Sequence, residues 1–225
     1  NRMNIATIDK LILAADAHHD ADEFLAGRYE WDGGACAIGC AVRDLVEAGD
    51  LPADTGPDDH AALAASTGIS ELLLRFEDAV FEGMPESDRP AWPGRFLRAA
   101  RGRDMSMAWP RFALWLLSAD DSPMHGSAQH EKVKAAIDGV ATLYREWCET
   151  GKKPEQKRWS AAQADAQVAR DAQPAAWAAR ADAWDAQVAA RAAAWAGAAA
   201  GSAGAAWRAL ADRMIYEMER CQTAA

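Results

Sequence analysis

The sequence predicts an all-α protein: a multi-helix globular domain followed by alanine/tryptophan-rich helices packed on it or on a second copy. Three observations predict this. Apolar residues recur at helical spacing, as in Ile8, Leu11, Ile12 and Ala15. Cap and stop residues punctuate these runs. Alanine, the best helix former, dominates residues 160–211.

The elements follow in order. A first helix is predicted from Ile8 to Ala26, capped by Thr7 and stopped by Gly27. Asp32-Gly33-Gly34 is a turn signal. A second helix runs from Ala35 to Ala48 and ends at Gly49. Two prolines and a glycine make Asp50 to Asp58 a loop, and a short helix follows from Asp59 to Ser66. Ser70 caps SELLLRFEDAVFEG, whose apolar positions Leu72, Leu73, Phe76, Val80 and Phe81 nearly surround the helix and make it central. Pro90 and Pro93 open a helix through Ala100. Pro110 sits in the first turn of Trp109 to Leu117, where its missing N–H costs nothing. A long helix from Ser127 to Glu149 completes the first domain, residues 1–150.

Residues 151–159 form a linker, opened by Gly151-Lys152-Lys153-Pro154, and residues 160–225 are the alanine/tryptophan-rich segment. DAQVAR at Asp165 recurs as DAQVAA at Asp185, a degenerate repeat that matches no common solenoid length. Pro174 breaks or kinks this segment, and Gly197, Gly201 and Gly204 weaken it, so two or three helices are expected. Trp177, Trp184 and Trp195 fall on one stripe of an otherwise alanine surface. Such a stripe must pack on the first domain, on another copy or on a partner.

Charge and cysteine usage narrow the function. The net charge is −10, and residues 1–157 hold 27 acidic and 17 basic side chains, so the whole excess lies there. This argues against a nucleic-acid backbone as partner and leaves a host protein or small ligand, with a homodimer as a further option. No run reaches the roughly 18 apolar residues of a membrane span, and NRMNIATIDK lacks a signal-peptide pattern. A cytoplasmic location with four reduced cysteines is the expectation.

The most pointed motif is GGACAIGC, residues 33–40. Cys36 and Cys40 are i and i+4 and share a helical face, with Cys36 expected in the first turn. Three readings stay open: cysteines as small packing residues, a metal site of Cys36, Cys40 and His60 or a histidine of the His18-His19 pair, and a Cys36 nucleophile with a base such as His60. No metal or cofactor is the leading expectation. Of His18 and His19, at most one meets the core, because adjacent helical residues face different ways. Arg95 and Arg98 share a face near Trp92 and Trp109 and could receive a phosphate or carboxylate ligand, against a plainer reading as salt-bridge partners. No Walker, GxGxxG, HExxH or GxSxG motif occurs, so enzyme activity is open and disfavoured.

Taken together, CAIGC, RFEDAVFEGMP, WPGRFLRA, WPRFALWLL and the alanine/tryptophan tail resemble a family of bacteriophage and prophage accessory proteins. The resemblance spans residues 30–216. It implies a phage accessory setting in the host-cell cytoplasm and carries over no catalytic residue. The expected function is a non-enzymatic binding protein, with inhibition of a host defence component as one form of it. The alternative is a small cysteine-dependent enzyme or metal-binding protein centred on Cys36 and Cys40.

Overall fold

The structure, a computed structural model, describes residues 3–29, 33–122, 131–170 and 203–223. It is all-α: the described residues hold no strand, only two isolated bridges, Phe24 with Ala35 and Arg103 with Thr223. No helix among them is long and apolar enough to cross a membrane. The chain divides into two compact units, residues 1–105 with 221–225, and residues 106–220.

The first unit contains α1 (Ile5–Asp20), α2 (Ala37–Glu47), α3 (His60–Thr67), α4 (Glu71–Gly83) and α5 (Trp92–Ala100). α1 starts three residues before the sequence reading, because the Asn4 side chain, not Thr7, caps it by accepting from the Thr7 N–H at 3.3 Å. It also stops early. Asp22 turns the chain at φ 57°, and Phe24 leaves the helix to bridge Ala35. Leu25 N–H donates to Ala35 C=O, and Ala35 N–H donates to Glu23 C=O.

Cys36 is the N-cap of α2 rather than a residue of its first turn, with extended backbone and its sulfur accepting from Gly39 N–H. Asp59 caps α3, which ends at left-handed Gly68. Ser70 caps α4 as the sequence indicates. α1 packs on α2, α3 and α5, and α4 packs on α2, α3 and α5. Ile8, Leu11, Ile38, Leu45, Leu63, Leu73, Phe76, Phe81, Trp92 and Phe96 form the buried interior of this unit.

The second unit is built from α6 (Ala108–Ser118), α7 (Glu131–Thr150), α8 (Gln156–Arg170) and α9 (Ala203–Glu219). α6 packs on α7 and α9, and α7 packs on α8. Trp159 sets its ring against Tyr144 at 4.8 Å between centroids, and Trp109 Nε1–H donates to the Tyr144 hydroxyl at 3.2 Å. The guanidinium of Arg213 lies over the rings of Trp115 and Tyr216 and pairs with the buried carboxylate of Glu217 at 2.5 Å. Trp177, Trp184 and Trp195, with Pro174, lie outside the described residues.

Candidate functional site

Helix α4 is apolar on nearly every side, yet it carries Glu77, Asp78 and Glu82. Glu71 and Arg75 pair with each other at the partly exposed edge of the helix, whereas Glu77 and Asp78 lie on its covered side and are buried, at 3% and 1% exposure. Burying carboxylates is costly unless a partner offsets the loss of water. The partners of Asp78 come from three other segments, and they define the site.

Asp78 and Glu82 are i and i+4 and share one face of α4. Against that face lies the start of α2. The Cys36 sulfur, an Asp78 oxygen and a Glu82 oxygen all fall within 4.8 Å of one another. Tyr29, in the loop before α2, donates its hydroxyl proton to Asp78 Oδ2 at 2.6 Å. Gly27 N–H donates to Glu82 Oε2 at 2.7 Å. His60, the first residue of α3, places Nε2 3.4 Å from Asp78 Oδ2. The other ring nitrogen, Nδ1, lies 2.8 Å from the carbonyl of Asp58. A carbonyl only accepts, so Nδ1 carries a proton. Asp78 Oδ1 and His60 Nε2 are buried without a hydrogen-bond partner.

The electrostatics of the site are one-sided. Burial pushes the Cys36 thiol far above its ordinary range, and Asp78, Glu77 and Glu82 push it further, against the opposing Gly39 N–H. The Tyr29 phenol is raised by burial and by its bond to Asp78. Glu77 is raised well above the carboxylate range by burial and by the neighbouring acids. A nucleophilic cysteine needs an electropositive setting, and this setting is the reverse. What it suits is a cation among the acids.

Glu77 also lines a separate cavity of about 30 Å³, with Leu11, Ile38, Leu63, Leu74 and Phe96. That volume has room for one or two water molecules. Both Glu77 carboxyl oxygens are buried without a protein partner.

The other sequence candidates separate from this group. Cys40 is buried, but its thiol donates to the Ala35 carbonyl at 3.6 Å and is pushed up to about 12 by burial and by Asp44. It is not a member of the Cys36 cluster. His18 lies between Glu23, 2.6 Å from Nδ1, and Asp44, 3.0 Å from Nε2, while His19 is exposed. Arg98 takes both oxygens of Asp16, and Arg101 both oxygens of Asp9, so those two arginines tie α5 and its end to α1 as salt-bridge partners. Arg95 stands exposed one turn away from Arg98.

Sequence reasoning reached Cys36 and His60 and missed Tyr29, Asp78 and Glu82. The available signal was a pair of acids in a helix apolar all round. No family model, curated protein or solved structure matches the chain.

Proposed function

We propose that this chain is a metal-ion-binding protein whose site is the buried acid cluster of α4 facing Cys36. The observation that carries this reading is the convergence of a thiol and two carboxylates within 4.8 Å. Asp78 adds a buried oxygen that no protein donor reaches. No lysine or arginine pairs with Asp78 among the described residues. A cation would neutralise the carboxylates, lower the thiol and satisfy Oδ1 at once. The accessory role implied by the motif resemblance is compatible with such a site and is carried by that resemblance alone.

The test is a thermal melt of chelator-stripped protein with and without divalent ions. Binding at 100 times Kd stabilises by about 2.7 kcal/mol, which raises Tm by several degrees in a chain of this size. Asp78→Asn is expected to abolish the rise. An unchanged Tm with every divalent ion would end this reading.

A further inference from the structure

We infer that the ion is of the zinc class, bound through the Cys36 sulfur and His60 Nε2 as well as through Asp78 and Glu82. This rests on the metal-binding reading above and narrows it to one chemical class of ion. Two donors carry the inference. Sulfur is a poor ligand for magnesium or calcium, which take oxygen shells, and a good one for zinc and its transition-metal neighbours. Cys36 is also held in place: as N-cap of α2 it sits at the positive end of the helix and accepts from Gly39 N–H.

His60 supplies the second, independent observation. Its Nδ1–H is spent on the Asp58 carbonyl, so in the neutral ring Nε2 presents a lone pair. That lone pair faces Asp78 Oδ2, itself an acceptor, at 3.4 Å. Two acceptors facing each other in a buried place repel unless a cation or proton lies between them. A ring fixed through one nitrogen by a backbone carbonyl leaves the other free to ligate, as in metal-ligating histidines. The spacing agrees. Zinc bonds of about 2.0–2.3 Å at tetrahedral angles put neighbouring ligand atoms about 3.3–3.7 Å apart. The His60 Nε2–Asp78 Oδ2 separation lies in that range, while Cys36, Asp78 and Glu82 stand within 4.8 Å of one another in a group that leaves His60 outside, so the three must close in and the His60 ring must move toward them to complete the shell. Tyr29 O–H on Asp78 Oδ2 is the outer hydrogen bond that orients a ligating carboxylate.

The experiment uses the full chain, stripped with chelator and titrated with Zn²⁺, Co²⁺, Mg²⁺ and Ca²⁺. The expected result is one zinc per chain, tighter than magnesium or calcium. Cobalt is expected to show a sulfur-to-metal charge-transfer band that Cys36→Ser removes and Cys40→Ser leaves. His60→Gln is expected to weaken zinc at least tenfold. Serine is a good N-cap, so Cys36→Ser retains the start of α2. Zinc-edge absorption on the unmutated protein decides the same point without a substitution, by a sulfur scatterer at about 2.3 Å. A shell of oxygen and nitrogen alone, or a charge-transfer band that survives Cys36→Ser, overturns the inference. Magnesium or calcium binding with zinc no tighter overturns it too, while leaving the acid cluster a cation site. Binding of no ion removes both readings.

Discussion

At the residue scale, the first unit places ionisable groups where only one protonation state fits. His18 is the clearest case, because both of its ring nitrogens face carboxylates. Each nitrogen must donate, so the ring is held as the cation. Its pKa is accordingly raised, first by the bond to Asp44, against the opposing effect of burial, and further by Glu23. The sign follows from linkage. The folded state holds this proton to higher pH than the unfolded chain, so the contribution is full below about pH 6.5 and is lost as pH rises through the raised value. His18→Gln is therefore expected to lower Tm most at pH 6 and progressively less at alkaline pH. A Tm difference that is flat with pH, or that grows on going alkaline, would show that the ring is not held as the cation. Glu77 shows the same pressure with the opposite charge: burial raises it well above the carboxylate range, because a buried anion is costly.

At the element scale, the sequence was legible wherever a local signal decided the outcome. Ser70 and Gly83 bound α4 because capping and termination depend on residues a few positions apart. Asn4 and Thr7 are both good caps, and the one that wins does so because Asn4 also donates its backbone N–H to Thr67 of α3, a tertiary contact no local pattern reports. The site divides in the same way. Cys36 and His60 stand out by residue type, whereas Asp78, Glu82 and Tyr29 join them only because α2, α3, α4 and the preceding loop meet. Gly39 marks that meeting. A Cβ there would lie 2.6 Å from the Tyr29 carbonyl oxygen, a backbone atom that cannot swing aside. Gly39→Ala is expected to destabilise by about 1–3 kcal/mol through overpacking, outweighing the gain of up to about 1 kcal/mol in helix propensity. Gly139, in α7, has nothing within 4 Å of its added Cβ, so Gly139→Ala is expected to stabilise by that propensity gain. Chemical denaturation of the two variants makes the comparison. If both gained stability, the close approach of Tyr29 to α2 would be wrong.

At the scale of the whole molecule, the composition change after Gly151 hides a structural dependence. The second unit is completed by chain on both sides of that glycine, since α8 lies on α7 and α9 lies on α6. Trp159 covers Tyr144 and Trp147, at 4.8 and 6.4 Å between ring centroids. From α9, Trp207, Leu210, Met214 and Met218 are buried. At about 1.5–3 kcal/mol for each large apolar side chain removed from water, those four contribute about 6–12 kcal/mol, as much as the net stability of a typical domain. A chain truncated after Glu149 keeps α6 and α7 packed on each other and loses α8 and α9, which cover α7 and α6. It is expected to bind a hydrophobic dye, to melt without a cooperative transition in its second unit, or to precipitate. The first unit keeps α1 to α5 in that truncation and, among the described residues, gives up the Cys221–Thr223 segment, whose links include Asp104 N–H to the Gln222 carbonyl, Arg103 to the Cys221 carbonyl and the Arg103–Thr223 bridge. Metal binding by the truncated chain, read on whatever fraction stays soluble, is therefore expected to persist at one ion per chain. A truncated protein that stayed soluble with an unchanged melting curve would mean that α8 and α9 contribute nothing to the second unit, and the packing of Trp159 and Trp207 would then have to be abandoned as its basis.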